Sequence, residues 1–479
     1  MKQRLGIIAD DLTGANDTGV QFSKHGLATT VLLDIVASPQ RVISDADVIV
    51  INTDSRWSDP NVAYSRVKAA AEVLKDAGVA TVYKKIDSAL RGNVGAELDA
   101  VMDAFNAKVA FVAPAFPDAG RVTLGGKQLL KDKPLDKSEM ARDPLSPITE
   151  SYVPALVKRQ SRRNVGHVPL EDVNSGHDGL LVSFSTRICS GDEIIVIDAA
   201  EREHLQVIAR AIASLNLPLV MAGSAGLAAE LPEVLSIASS GGGGSDERCA
   251  NGVLVVCGSA SPTASRQLDY ATAALGIRSI AVDAADILSG LDFNEDRVRS
   301  IVSEASATLA QGQDVLIRLN SDSCLWGPAA ADTQDRAKDS VTVAPAPFEA
   351  RSGEPSLSRE YSFRQDGNRR VRGDDVGKRV EDSRRITGYL ALLVKRILAR
   401  CKVAGLVLTG GDTALAICRI LEASAVALLE EIVPGVPSGR LVDGPYSGLV
   451  IVTKAGSFGE MDVIVKVIRY LHDVVLQRR

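Results

Sequence analysis

Leu5-Gly6-Ile7-Ile8-Ala9-Asp10-Asp11-Leu12-Thr13-Gly14-Ala15-Asn16-Asp17 is an apolar run that stops on two carboxylates and continues into small and polar residues. Five apolar or small residues in a row suit a strand buried on both faces, and acids directly behind it are costly unless a turn or a ligand uses them. The arrangement recurs twice. Residues 48–53 lead into Asp54-Ser55-Arg56, and residues 79–83 lead into Lys84-Lys85-Ile86-Asp87-Ser88-Ala89-Leu90-Arg91-Gly92. Ligands of open α/β sheets bind outside the carboxyl ends of the strands, so parallel pairing of the three runs delivers acids, bases and hydroxyls to one edge. The fold class that follows is α/β, with mainly parallel sheets flanked by helices.

Strand-like runs at 29–33, 109–112, 179–183, 194–197 and 219–222 alternate with helix-period segments at 61–77 and 96–105, the pattern of βαβ units. A chain of 479 residues exceeds what one compact core organises, so two domains are expected. Residues 236–252, with Ser239-Ser240-Gly241-Gly242-Gly243-Gly244-Ser245 at their centre, read as a Gly/Ser-rich linker. The first domain is then 1–235 and the second 253–479, with strands at 253–257, 279–282, 314–319, 405–408 and 449–453, a last helix at 461–477, and a ligand cleft between the domains. From 326 to 382 the periodicity vanishes, and 351–385 mixes charges of both signs with Gly, Ser and Pro. A loop or disordered insert is expected there, with a lid over an anionic substrate as its functional alternative.

A formal net charge of −6 gives no overall attraction to nucleic acid or to an anionic membrane, so an anionic ligand must be held by local basic groups. Cys189, Cys249, Cys257, Cys324, Cys401 and Cys418 show no CxxC spacing, and the five histidines form no HxxxH or HExxH pair, which speaks against a zinc site. Scattered thiols within apolar patterns suit a reducing compartment, the cytoplasm. The first residues lack a signal-peptide core, and no apolar run approaches the roughly 18 residues of a membrane span. A soluble protein is expected, and a homodimer is the base-rate oligomer.

Thr409-Gly410-Gly411-Asp412-Thr413-Ala414 follows a strand and opens a helix, so its backbone can approach an anion at the helix amino terminus. Alone this is a weak signal, because glycine pairs at strand ends are often plain turns. Cys257-Gly258-Ser259-Ala260-Ser261-Pro262-Thr263 and Lys454-Ala455-Gly456-Ser457-Phe458-Gly459 have the same character, and three such loops can surround a nucleotide's phosphates. Gly120-Arg121-Val122-Thr123-Leu124-Gly125-Gly126-Lys127 lacks the spacing of a P-loop, and no GxGxxG fingerprint follows a strand, which disfavours a dinucleotide dehydrogenase.

In the first half, Arg56, Lys85 and Arg91 are candidates to bind a carboxylate, while Asp10, Asp11 or Asp87 can order a hydroxyl and accept its proton. Asp10 or Asp87 can instead cap the segment behind it. Pro114-Ala115-Phe116-Pro117-Asp118-Ala119-Gly120-Arg121 reads as a shaped loop whose Arg121 can meet an anion. His167 and His177 lack a sequence-adjacent partner and read as hydrogen-bonded or surface histidines.

Together, residues 9–17, 84–92 and 114–121 and the glycine loops resemble the four-carbon acid sugar kinase family over nearly the whole chain. Ala141-Arg142-Asp143-Pro144-Leu145, Ala222-Gly223-Ser224-Ala225-Gly226-Leu227-Ala228 and Pro434-Gly435-Val436-Pro437 fit as well. The resemblance implies phosphorylation of the terminal 4-hydroxyl of threonate, erythronate or 3-oxo-tetronate by ATP with Mg2+, D-threonate being favoured. It also implies an amino-terminal sugar-acid domain and a carboxyl-terminal nucleotide domain. By carry-over, Asp11, Arg56, Lys84, Lys85, Ile86, Asp87 and Ser88 face the sugar acid; Asp10 and Arg91 join them from the clusters above, and Asp11 and then Asp87 are the catalytic candidates. Ser259, Gly410, Gly411, Asp412, Thr413 and Gly456 face ATP by the same carry-over, Ser261 joins them from its place in the 257–263 loop, and no residue is assigned to a metal. The 326–382 stretch is longer and more charged than the family's usual connection. A non-catalytic sensor of a sugar acid and a nucleotide is the rival from another class.

Overall fold

The computed structural model describes residues 4–34, 40–143, 147–235, 237, 251–259, 261–290, 295–320, 373–456 and 458–476. Its strands are β1 (Leu5–Ala9), β2 (Thr29–Leu32), β3 (Val48–Asn52), β4 (Thr81–Lys85), β5 (Val109–Ala113), β6 (Arg121–Leu124), β7 (Lys127–Leu130), β8 (Lys133–Pro134), β9 (Val165–Val168), β10 (Ile194–Ile197), β11 (Leu219–Gly223), β12 (Leu254–Cys257), β13 (Arg278–Val282), β14 (Val315–Leu319), β15 (Leu406–Thr409), β16 (Ala425–Val433), β17 (Val436–Val442) and β18 (Val450–Lys454). Fifteen of them form one sheet in the order β13-β14-β12-β15-β18-β17-β16-β2-β3-β1-β4-β11-β5-β10-β9, while β6, β7 and β8 form a small antiparallel sheet.

The first half contributes eight parallel strands, from β2 to β9. The second contributes a parallel block of β13, β14, β12, β15 and β18. What joins them is the hairpin β16–β17, antiparallel to β18 on one side and to β2 on the other. The two expected sheets are therefore continuous, each half keeping its mainly parallel character. β1 lies at the switch point of the first half, with β3 on one side and β4 on the other. A switch point leaves a crevice at the carboxyl ends of the strands, and Asp10 and Asp11 open into it.

The helix Leu12–Ser23 follows β1 and is buried from Leu12 to Phe22, with no polar face to solvent. It packs under the first-half sheet on one side and touches the second half on the other. Asn16 Nδ2 donates to Thr453 Oγ1 at 3.0 Å, and Gln21 Nε2 to Glu431 Oε1 at 3.0 Å. Val20 and Phe22 are fully buried, each stabilising by roughly 1.5–3 kcal/mol at most. This one helix is common ground for both halves.

Three expectations need correction. Residues 179–183 are helical, within Gly176–Cys189: Leu180 and, just beyond the run, Phe184 are buried four residues apart, while Val182 is exposed. The edge strand is instead β9, paired with β10. The strand expected at 79–83 is β4, two residues later, so Lys84 and Lys85 lie in the strand and not behind it. Of the supposed insert, residues 373–382 begin the helix Gly373–Leu398, whose apolar face of Ile386, Tyr389, Leu390, Leu393, Val394 and Ile397 starts only after several charged turns. Residues 321–372, and with them the lid alternative, lie outside the described residues, as does most of the 236–252 linker.

Candidate active site

Asp11 caps the helix Leu12–Ser23, its Oδ1 accepting from Gly14 N at 2.9 Å. The same carboxylate, and that of Asp10, grip one guanidinium. Arg56 donates from Nε and Nη2 to Asp10 at 2.7 and 2.9 Å, and from Nη1 and Nη2 to Asp11 at 2.8 and 2.7 Å. Burial by itself would raise the Asp10 carboxyl, but Arg56, with Lys84 and Lys85 behind it, outweighs burial and leaves it below the usual carboxylate range. Arg56 therefore keeps only one N–H for a ligand, fewer than expected of a primary carboxylate clamp.

Successive residues of a strand point to opposite faces, and this separates the two lysines. Lys84 is fully buried and pairs with Glu97 at 2.7 Å, beneath the helix Val94–Phe105. It holds the fold together and does not reach the crevice, and Ile86 packs into the core on the same side. Lys85 points to the other face, toward the head of the Leu12–Ser23 helix, where a methyl on Gly14 would lie 2.8 Å from its Nζ. It is 5% exposed and, among the described residues, its ammonium makes no hydrogen bond or ion pair, although its carbonyl accepts from Lys84 Nζ at 2.6 Å. A buried ammonium without a fixed counterion is suited to an anionic ligand.

Beyond β4, Arg91 Nε donates to Asp87 Oδ2 at 2.5 Å and Arg91 Nη1 reaches Asp143 at 3.3 Å. Burial would raise the Asp87 carboxyl, yet Arg91, Arg56 and Lys85 together hold it well below its ordinary value. Ser88 Oγ accepts from Arg121 Nη1 at 2.9 Å, and the fully buried Gln128 donates from Nε2 to the Ser88 carbonyl at 2.9 Å. Residues 114–121 and β7 thus brace the Asp87–Arg91 turn.

The three glycine loops follow β12, β15 and β18, adjacent strands of the second half, so they converge. A methyl on Gly456 would fall 2.2 Å from Ser259 Oγ and 3.5 Å from Ser261 Cβ; one on Gly410 would lie 3.5 Å from Thr413 Oγ1 and 3.9 Å from Ser259 Cβ. Gly410 has φ +103°, which admits glycine and little else, and it opens the helix Gly411–Ile420. Ser259 Oγ accepts from Ser261 N at 3.2 Å. Lys454, buried, donates to the carbonyls of Ala455, Gly456 and Phe458 and so shapes the third loop; burial lowers its ammonium to about 8. Small residues around a helix amino terminus form a cradle for phosphate oxygens.

The two halves meet at this point. A methyl on Gly411 would sit 2.9 Å from Thr13 Oγ1 and 3.3 Å from Asp11 Oδ2. Arg419 reaches Asp54 at 3.2 Å, and the Arg121 guanidinium lies over the Phe458 ring at 4.9 Å. Asp412 stands at the mouth; although its side chain reaches solvent, crowding by protein, aided by Asp54 and Asp11, raises it to about 6. Among the described residues no group of three or more His, Cys, Asp or Glu is arranged to hold a metal. His167 hydrogen-bonds Asp198 at 2.9 Å and His177 bonds Asp178 and Ser214, in keeping with bonded histidines.

Sequence reasoning passed over Thr13 and Asp17, whose side-chain oxygens Oγ1 and Oδ1 are buried without a hydrogen-bond partner among the described residues. The signal was available, since Thr13, Asn16, Asp17, Thr18 and Gln21 leave that helix no apolar-only stripe to bury.

Residues 5–231 match a family profile described as a sugar-binding N-terminal domain, and residues 329–464 one described as a nucleotide-binding C-terminal domain. The chain is 35% identical to a D-threonate kinase of Salmonella typhimurium over 98% of both proteins, and 30% identical to a D-erythronate kinase of Heliobacterium modesticaldum over 97% of this chain and 96% of that one. The chain belongs to the four-carbon acid sugar kinase family. A solved Salmonella typhimurium LT2 protein, described as a candidate tRNA synthase, superposes with a TM-score of 0.72 at 22% identity, covering 98% of this chain and 99% of that one. At that identity the likeness speaks to the fold alone. Family membership gives the convergence of Asp11, Thr13 and Gly411 its interest, since it joins the head of the helix in the sugar-binding match to a loop in the nucleotide-binding match.

Proposed function

We propose that this chain is an ATP-dependent kinase that phosphorylates the terminal 4-hydroxyl of a four-carbon sugar acid, D-threonate first, with D-erythronate and 3-oxo-tetronate as alternatives. The observation that carries the proposal is the meeting of the Asp11 and Thr13 side chains with Gly411, which brings a hydroxyl-ordering carboxylate to the edge of a phosphate cradle. The kinases among its full-length relatives support the same reading.

In this reading Lys85 and the remaining N–H of Arg56 hold the acceptor's carboxylate, with Arg121 and Ser88 beside it. Asp11 orders the 4-hydroxyl, while Asp87 fixes Arg91. Ser259, Ser261, Gly410, Gly411, Thr413 and Gly456 hold the nucleotide, and the amino terminus of Gly411–Ile420 favours the charge of its phosphates. Mg2+, when bound, neutralises charge on the phosphates of the nucleotide that carries it. The domain division at 236–252 belongs to this reading, each half supplying one ligand. So does a cytoplasmic location, supported by the free thiols of Cys189, Cys257, Cys401 and Cys418. No described helix is long and apolar enough to cross a membrane. A homodimer is proposed on the base rate of symmetric oligomers alone.

The test is an ADP-release assay with Mg-ATP against D-threonate, L-threonate, D-erythronate, L-erythronate and 3-oxo-tetronate, with the product identified by mass spectrometry. One acceptor well above the rest, D-threonate by expectation, establishes the kinase. Binding of ATP and acid with no product from any of the five would favour the sensor.

A further inference from the structure

We infer that Asp17 is the group that receives the proton of the acceptor hydroxyl, a catalytic role that rests on the kinase reading above. The acids on the crevice floor, Asp10, Asp11 and Asp87, are already committed, and Asp412 stands out at the mouth with its side chain reaching solvent. Both oxygens of Asp10 and both of Asp11 accept from Arg56, and Asp11 also caps its helix. Asp87 is bonded through both oxygens to Arg91. A carboxylate held in its charged form by a guanidinium can order a hydroxyl well but takes up a proton poorly.

Asp17 differs in every respect. It lies three residues after Gly14 and four after Thr13, so it shares their face of the helix one turn further in. Gly14 faces Lys85 Nζ and Thr13 faces Gly411, which brings Asp17 below the point where acceptor and phosphate cradle meet. Its side chain is only 8% exposed, and its Oδ1 is buried with no hydrogen-bond partner among the described residues. A buried acid left without donors in a packed helix is costly, and an incoming hydroxyl supplies the missing donor.

The groups around it come from several elements: Lys85 and Tyr83 on β4, Asp11 at the helix head, Arg121 on β6 and Glu431 on β16. Burial raises the Asp17 carboxyl to about 7, Lys85 opposing and Glu431 and Asp11 adding, so near neutrality it exchanges a proton readily. Glu431 is itself occupied by Gln21, Lys24 and the Gly435 N–H.

The hydroxyl O–H bond breaks and its proton goes to an Asp17 oxygen while the substrate oxygen bonds the γ-phosphorus. The bond from that phosphorus to the β–γ bridging oxygen breaks, and its electron pair leaves on ADP. After product release Asp17 returns the proton to water.

The experiment is the pH profile of kcat, from pH 5.5 to 9, for wild type, Asp17→Asn and Asp17→Glu, with ADP affinity measured for each. The wild type should show an acidic limb centred near 7. Asp17→Asn should lose that limb and about 10²-fold or more in kcat, with KM for ATP and ADP affinity within about twofold of wild type. Asp17→Glu should regain part of the rate and keep a limb. A flat wild-type profile overturns the proposal without any variant, as does an Asp17→Asn enzyme that keeps both limb and rate. If Asp17→Asn fails to bind ADP, the wild-type profile and Asp17→Glu decide. A wild type silent toward every acid fails the kinase reading and this proposal with it; an active wild type whose limb survives in Asp17→Asn fails this proposal alone.

Discussion

The floor of the crevice behind β1 and the seam between the two halves use the same kinds of residue for opposite ends. On the floor every charge has a partner: Asp10 and Asp11 share Arg56, Asp87 holds Arg91, and Lys84 is matched to Glu97. In the seam, the Lys85 ammonium is buried without a hydrogen bond or ion pair among the described residues, and Asp17 Oδ1 and the Thr13 hydroxyl are buried and unsatisfied. The contrast is sharpest between Lys84 and Lys85, neighbours in sequence that the pleat turns to opposite faces, one into a closed ion pair and the other toward the ligand space. Paired charges fix geometry, whereas unpaired ones keep their capacity for a ligand. A site needs both, because a seam of unmatched groups persists only if its surroundings are rigid.

If that contrast is right, the largest effect on stability comes from the floor. Arg56→Met leaves Asp10 and Asp11 without their guanidinium, and breaking a buried pair from one side costs about 3–5 kcal/mol. Urea unfolding of wild type and variant should show a loss of that size. A loss under about 1 kcal/mol would mean that the two acids take up protons on losing Arg56 and that the floor is held by packing alone.

The seam predicts the reverse. Lys85→Met removes a buried ammonium that no side-chain hydrogen bond or ion pair holds in the resting fold, so the loss of stability should be far smaller than for Arg56→Met while KM for the sugar acid rises. A charge-assisted contact contributes about 1.5–3 kcal/mol, or roughly 10- to 150-fold. ATP affinity should stay near wild type, since Lys85 belongs to the acceptor side. Steady-state kinetics with acid and ATP varied separately checks this. If the change acted on ATP alone, Lys85 would belong to the cradle and the floor-and-seam division would need redrawing.

Why the floor was easier to read than the seam follows from what sequence encodes locally. The strand runs ending at Asp10, Asp54 and Lys84 stand out because apolar runs and turn chemistry are short-range signals, and they placed the three clusters at one sheet edge correctly. The seam arises from residues more than 390 positions apart, such as Asp11 and Gly411, and from the hairpin β16–β17, whose antiparallel pairing with β2 no local pattern announces. A two-residue shift in β4 shows how fine the margin is. Placing the strand at 79–83 left both lysines in a loop and both available to substrate, while the real register at Thr81–Lys85 assigns one to the core. The run at 179–183 misled because Leu180-Leu181-Val182 is apolar over too short a span to separate strand from helix; only the burial of Phe184 four residues on settles it. Asp17 lies inside the 9–17 motif, yet the isolation of its Oδ1 is a tertiary property, visible only once the elements around that helix are in place.

Asp412 carries the smallest effect and marks the outer limit of the seam. Crowding at the mouth, then Asp54 and Asp11, raise its carboxyl from 3.8 to about 6. An acid raised on folding binds more protons folded than unfolded between those two values, so its contribution to stability is full below about 3.8 and is lost as pH rises through about 6. Asp412→Asn removes that loss. Its melting temperature relative to wild type should therefore climb between pH 4 and pH 7.5, the underlying change in stability being screened by solvent at this exposed side chain to under about 1 kcal/mol. The amino terminus of Gly411–Ile420 acts in the opposite sense, favouring a charged Asp412 by about 0.3–1 kcal/mol. The sign of the pH dependence decides between them. A relative melting temperature that climbs with pH puts Asp412 among the unmatched groups of the seam. One that falls with pH makes the helix end its partner, and the seam then stops at Gly411.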